Sequence, residues 1–329
     1  MKILVFEYIT GGGFAGQSLP AGLAAEGGQM LQALLHELKA LPGIELTVML
    51  DSRCQRPNVL TEAEVVRVNH PDIRTILPKL LNATDCFWPI APETDGILHT
   101  LAEIAAANRT PTLLSDPATL AVCADKLASY RVFCTLGLPA VPTRSLVDDF
   151  ADWRGRLVVK PVDGVGCEGA RLLTTEQFSD WRNRCSDPMR YVVQPYCEGR
   201  PSSLSALFAG GRAWLLSVNR QLIEVVDGGF ALRGCRVNVA VASRSLYQGW
   251  LDQLAVGLPG LFGYVGVDWL ETADGGGQLL EINPRLTSSY AGVGQAIGIN
   301  VAEQVLRCLD GVPESFQTDS QTVDIIFNH

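Results

Sequence analysis

Lysine and histidine are scarce in this chain. Five lysines (Lys2, Lys39, Lys79, Lys126 and Lys160) stand among 26 basic residues, and the four histidines form no ligand-like cluster. Metal or triad chemistry built on histidine is therefore not expected. The nine cysteines contain no CxxC pair, which argues against zinc-ribbon and thioredoxin-like sites. With no export signal, reduced thiols and a cytoplasmic setting are expected. The apolar start MKILVFEY is short, is broken by Glu7 and reads as a first strand. No apolar run reaches membrane-spanning length. No basic tract exists and the net charge is −9, so neither a membrane nor a nucleic-acid partner is expected. Repeats and low-complexity tracts are also missing. The excess of arginine is most simply a coding bias, and a lysine that persists against it invites a point-charge role.

The chain has 329 residues, 47% of them apolar and 19% charged, enough for two or three domains with a sizeable core. Strands are expected at 3–6, 45–49, 65–68, 85–89 and 112–115, with helices near 24–39, 71–81 and 94–108. That alternation predicts an open parallel α/β sheet. Asp116 and Pro117 open a helix running towards Leu136 and stopped by Gly137. A strand at 157–161, a glycine-rich loop, a helix from Glu176 and a strand at 191–194 follow. The remainder reads as mostly antiparallel, with strands at 204–209, 212–218 and 222–226, a final hairpin, and helices near 244–258 and 301–309.

That final hairpin, GYVGVDWLETADGGGQLLEINPRLTSSY (263–290), carries the strongest chemical signal. Alternation puts Glu281 and Asn283 on one face. A tight turn at Asp274-Gly275 sets Asp268 opposite Glu281. Facing carboxylates repel, and a cation between them relieves this; an all-oxygen set suits Mg²⁺, which takes its other ligands from water and phosphate. Arg285 then stands ready for a phosphate or a developing anion. A solvated acidic hairpin is the plain alternative.

In LVVKPVDGVGCEGA (157–170), a strand delivers Lys160 into a loop with Gly164, Gly166 and Gly169. Backbone N–H groups there can approach an anion, and Lys160 adds a point charge. No GK[ST] is present, so this is not a Walker loop; an ordinary glycine-rich hairpin is the alternative. VVQPYCEG (192–199) reads as a strand running into a turn, either a plain edge or a backbone edge for adenine. TGGGFAG (10–16) matches GxGxxG, which opens a dinucleotide-binding reading. Pro20 follows it too closely for a helix to open at the third glycine. Asp51 also lies 35 residues beyond Gly16, further than the roughly 20 usual for that motif. A substrate-binding turn fits better.

The order of these signals resembles the ATP-grasp superfamily over roughly residues 116–310: Asp125-Lys126, the strand lysine with its glycine loop, QPYCEG, and Asp…Glu-x-Asn-Pro-Arg. FEYITGGGF and EINPRLTSSY extend the likeness to nearly the whole chain. They are similar to the tyramine–L-glutamate ligase branch, which serves methanofuran-type one-carbon carriers. The resemblance implies an N-terminal α/β (pre-grasp) domain at 1–115, a small lid at 116–195 and a C-terminal grasp domain at 196–329. It implies ATP contacts from Lys126, Lys160, Asp163, Gly164, Gly166 and Gly169, and an adenine hinge at Gln194, Tyr196 and Cys197. Asp268, Glu281 and Asn283 match the ligands of one or two Mg²⁺ ions, with Mn²⁺ as a substitute. Arg285 and Lys160 match catalytic positions. Where many relatives carry a ribose-binding acid after the hinge glycine, this chain reads Arg200-Pro201-Ser202-Ser203, leaving Glu198 as the replacement.

The implied chemistry is phosphorylation of a carboxylate by ATP, then attack of an amine on the acyl phosphate. Other amino-acid ligases, a small-molecule kinase and a nucleotide sensor are the rivals. Substrate candidates are Thr10, Gly11, Gly12 and Gly13, Glu93 beyond a strand end, and Ser288, Ser289 and Tyr290, because ligands of open α/β sheets gather at the carboxyl ends of strands. Glu93 reads equally as a helix-start carboxylate, and Ser288 and Ser289 as helix caps. The expected partners are small molecules, an amino acid and an amine, and the reading leaves room for a homodimer.

Overall fold

The computed structural model describes residues 1–60, 63–70, 73–273, 276–311, 313 and 321–327. The first domain contains β1 (Lys2–Glu7), α1 (Ala21–Lys39), β2 (Glu45–Asp51), β3 (Glu64–Val68), α2 (Ile73–Leu81), β4 (Cys86–Ile90) and α3 (Ile97–Ala107). The strands form a parallel sheet in the order β3-β2-β1-β4. Helices cover both faces, so β1 is apolar throughout its centre. Ile3 and Val5 pack with Leu31, Leu34 and Leu35 of α1, whereas Leu4 and Phe6 pack with Leu77 of α2 and Leu101 of α3. The expected fifth strand at 112–115 shrinks to a single parallel bridge, Phe87 with Thr112. Pro111 has no N–H with which to extend it, and the chain turns at once into the next helix.

The long helix expected after Asp116 is two helices, α4 (Pro117–Ala124) and α5 (Lys126–Thr135). Asp125 sits between them in an extended conformation and accepts from Leu127 N at 2.8 Å and Ala128 N at 2.9 Å. Such a cap stabilises a helix start by about 1 kcal/mol, and here it turns Lys126 inward at the first helical position. The small unit comprises β5 (Arg144–Ser145), β6 (Leu157–Pro161), β7 (Arg171–Leu173), α6 (Thr175–Arg184) and β8 (Tyr191–Pro195). It closes over its own core of Leu146, Phe150, Leu157, Val159, Phe178 and Val193. Cys123 of α4 and Phe133 of α5, grouped with the lid in the sequence reading, belong instead to the core beneath the C-terminal sheet.

The C-terminal part adds β9 (Arg200–Ala209), β10 (Arg212–Val226), β11 (Gly229–Val237), α7 (Arg244–Gly257), β12 (Gly263–Glu271), β13 (Gly277–Asn283), α8 (Tyr290–Ile297), α9 (Val301–Arg307) and β14 (Val323–Ile326). The sheet runs β13-β12-β9-β10-β11-β7-β6-β8-β5, with β14 pairing β11. The two strands expected at 212–218 and 222–226 are one 15-residue strand, β10. The proposed Asp274-Gly275 turn lies outside the described residues. Asp268 faces Glu281, as the sequence predicts, but by another route. The outer ladder pairs Glu271 with Gly277, Leu270 with Gln278 and Trp269 with Leu279, one residue out of step with the expected pairing. A bulge at Leu280 restores the register at Asp268–Glu281. No helix among the described residues is long and apolar enough to cross a membrane, and all nine cysteines are free thiols.

Candidate active site

A cleft of about 330 Å³ lies between the small unit and the C-terminal sheet. The β12–β13 hairpin forms its floor, where Asp268 and Glu281 face each other with Asn283 two residues further along the same face. Gln221 of β10 donates to Asp268 Oδ1 at 3.1 Å. Lys126 Nζ lies 2.9 Å from Glu281 Oε2 and donates to Gly164 O at 2.6 Å. One buried lysine thus ties the hairpin to the glycine loop, and the break between α4 and α5 puts it there. Lys160, delivered by β6, lines the same cleft.

Electrostatics follow from this crowding. Burial, and then the Glu281 charge, push the Asp268 carboxyl up to about 7. Burial opposes ionisation of Glu281 too, but Lys126 and Lys160 outweigh it and hold that carboxyl below its ordinary value. Burial pulls the Lys160 ammonium down, with Glu281 opposing the shift. Among the described residues no group of three or more His, Cys, Asp and Glu could hold a metal ion. The hairpin supplies two carboxylates and one amide oxygen. This hard, all-oxygen set fits Mg²⁺ or Mn²⁺ sharing its shell with phosphate and water. The unfavourable Asp268–Glu281 contact is what a cation there would relieve.

The loop after β6 contributes Gly164 and Gly166 to the cleft. Gly169, at φ +70, instead packs on Pro161, where a Cβ would come within 2.8 Å of the ring. Asp163 does not face the cleft: its Oδ2 accepts from Asp95 N at 2.8 Å and its carbonyl from Thr94 Oγ1 at 3.1 Å. It anchors the loop to the first domain. At the hinge, Gln194 is buried and donates to Thr143 Oγ1 at 2.9 Å, and it lines the cleft together with Tyr196 and Cys197. The Arg156 guanidinium lies 4.2 Å from the Tyr196 ring centre. Val158, Ile223, Leu270 and Leu280 form an apolar wall, the last exposed to the cleft by the bulge. Glu198 is exposed and is not among the lining residues. The chain still follows the cleft at Gly199 and Pro201, but the Glu198 side chain is turned to solvent, so the ribose role expected for it is not supported.

At the other end Arg285 lines the cleft, clamped by Glu93 through contacts of 3.0–3.1 Å. Two residues expected to touch ligand are therefore each other's partners. Burial opposes the Arg285 charge, but Glu93 outweighs it and raises its pKa. Ser288 reaches the cleft and donates to Glu26 of α1. Ser289 also lines it, within a buried hydroxyl cluster of Ser205, Tyr264 and Thr287. Tyr290 is 1% exposed and donates to Glu37, so it is core rather than substrate wall. Thr10, Gly11, Gly12 and Gly13 are also not among the residues lining the cleft. Thr10 donates to the buried Glu7 carboxylate. A Cβ at Gly11, Gly12 or Gly13 would strike Phe6, Val68 or Tyr8 at 2.5–2.6 Å. These glycines serve close packing, which a sequence does not distinguish from ligand approach. Glu26, Gln221 and Thr143 carry no motif and were not anticipated.

The family model described as the ATP-grasp domain matches residues 123–289, and that of the pre ATP-grasp 3 domain matches 44–120. No curated protein sequence matches the chain. An ATP-grasp superfamily protein of Archaeoglobus fulgidus is similar over 100% of both chains, with 22% identity and a TM-score of 0.69. N5-carboxyaminoimidazole ribonucleotide synthetase of Thermotoga maritima has 16% identity and a TM-score of 0.67, over 98% of this chain and 79% of its own. L-amino acid ligase of Bacillus licheniformis has 16% identity and a TM-score of 0.66, over 95% of this chain and 75% of its own. With a parallel N-terminal sheet, an antiparallel grasp sheet and a matching family model over half its length, the chain belongs to the ATP-grasp family.

Proposed function

We propose that the protein is an ADP-forming carbon–nitrogen ligase that joins the γ-carboxylate of L-glutamate to tyramine or a close aromatic amine through an acyl phosphate. The observation that carries the ligase reading is the convergence of Lys126, Lys160, Asp268, Glu281 and Asn283 on one cleft that ends at Arg285. The N-terminal FEYITGGGF and the EINPRLTSSY segment carry the narrower substrate reading through their resemblance to the tyramine–glutamate branch.

In this reading the apolar wall takes the base, and Lys126, Lys160 and the Gly164–Gly166 backbone hold the phosphates. Asp268, Glu281 and Asn283 hold Mg²⁺, which neutralises phosphate charge. Arg285 steadies the transferred group or the substrate carboxylate, with its planar guanidinium oriented by Glu93. A carboxylate is already a competent nucleophile, so positioning and charge neutralisation suffice and no catalytic histidine is needed. The small unit over the cleft excludes water from an acyl phosphate.

The test is ATP turnover with Mg²⁺ and L-glutamate, with and without tyramine, following ADP, phosphate and product mass. Tyramine-dependent ADP release with a γ-glutamyl amide is the expected result. ADP release that ignores every amine, with a stable phosphorylated product, would make the protein a kinase and refute the proposal.

A further inference from the structure

Glu26 lies on α1 and, among the residues lining the cleft, it alone comes from the first domain. Its hydrogen-bond partner is the Ser288 hydroxyl. Among the described residues no lysine or arginine lies within ion-pair distance of it. Two of the cleft's three cations form ion pairs with other carboxylates: Lys126 with Glu281 and Arg285 with Glu93, although the Glu26 charge also acts on Arg285; the third, Lys160, lies against Glu281 and Asp268. Glu26 is therefore a carboxylate with no ion-pair partner among the described residues, at the end where the substrates of the proposed ligase must meet. A bare carboxylate there repels the anionic donor and its acyl phosphate unless a cation intervenes. The acceptor of an amide ligase arrives as an ammonium, which supplies that cation and up to three N–H donors.

We propose that Glu26, held by Ser288, is the receptor for the ammonium group of the amine acceptor and sets the enzyme's preference for cationic amines. The assignment rests on the ligase reading above. A charge-assisted hydrogen bond in a half-buried cleft is strong, and its loss weakens binding by about 10- to 100-fold. Glu26→Gln keeps an oxygen for Ser288 and removes only the charge.

The experiment compares wild-type enzyme and Glu26→Gln with ATP, Mg²⁺ and L-glutamate, using tyramine or hydroxylamine as acceptor. Hydroxylamine traps an acyl phosphate as the hydroxamate and is uncharged at mildly alkaline pH, so Glu26 offers it no ionic contact. The expected result is a rise of about 10- to 100-fold in the KM for tyramine, with selectivity for tyramine over hydroxylamine falling by the same factor. Unchanged selectivity overturns the proposal. So does a rise confined to the KM for L-glutamate, or a wild-type enzyme that forms the hydroxamate but ignores tyramine. Wild-type enzyme that forms neither the hydroxamate nor the γ-glutamyl amide of tyramine removes the ligase reading itself, whatever the variant does.

Discussion

Separating Glu93 from Arg285 is the sharpest test of how the cleft is held together. The pair joins the end of the first sheet to the segment after β13, with Glu93 6% and Arg285 12% exposed. At 3.0 Å and an effective dielectric near 20, their attraction is roughly 5 kcal/mol. Burying two charges costs several kcal/mol, so the pair as a whole adds little. Removing one partner is different, because it leaves the other charge buried and alone. We expect Glu93→Gln and Arg285→Met each to destabilise the protein by about 3–5 kcal/mol, with Gln at the lower end because it keeps an acceptor. The double variant removes both charges and should recover at least ~2 kcal/mol relative to the sum of the singles. Urea unfolding, followed by tryptophan fluorescence and far-ultraviolet circular dichroism, measures this if the two signals coincide. Stability should recover in the double variant while turnover does not, if Arg285 also serves the reacting end as proposed. Losses that simply add, within about 0.5 kcal/mol, would refute the reasoning.

Glu281→Gln and Asp268→Asn should each lower turnover by at least about 100-fold with an unchanged circular dichroism spectrum; near-normal rates for both at limiting Mg²⁺ would remove the metal assignment. Lys160→Met should raise the KM for ATP or depress kcat by about 10- to 100-fold, and unchanged kinetics would reduce the loop to a structural turn. Gly12→Ala forces a Cβ into Val68 at φ +108 and should lower stability by about 1–3 kcal/mol while leaving KM values alone. A KM effect without loss of stability would return that loop to the substrate site.

The hairpin was legible in sequence because its chemistry is local. Asp268, Glu281 and Asn283 lie on two adjacent strands, and a face rule connects them. The bulge at Leu280 was not legible, since nothing in the run GQLLEIN marks where the ladder shifts by one residue. Asp125-Lys126 was visible as a motif, yet the helix break it makes was hidden by good helix formers on both sides. TGGGFAG misled because glycine answers two needs alike: approach to a ligand and approach to a neighbouring ring. Asp163 and Glu198 sit in the right segments but their side chains turn away, which the sequence does not show. Glu26 has no sequence signal, because its role depends on which face of α1 reaches the cleft. The parallel first sheet was readable from its apolar runs, whereas β11 lacks strong alternation and was missed despite its two-residue Asp227-Gly228 turn, and β14 carries no strong alternation either.

Lys126 has a consequence for the order of events in the cleft. Its ammonium already lies where positive charge is wanted, against Glu281 and under the glycine loop. If Glu281 ligates the metal as proposed, a divalent ion arriving alone competes with that lysine for the carboxylate, so its entry is an exchange more than an addition. Nucleotide phosphates offer the lysine another anion and release Glu281 for the metal. Each ligand then favours the other by the same factor, as linkage requires. In the proposed reading the resting lysine competes with a free cation for Glu281, and nucleotide relieves that competition.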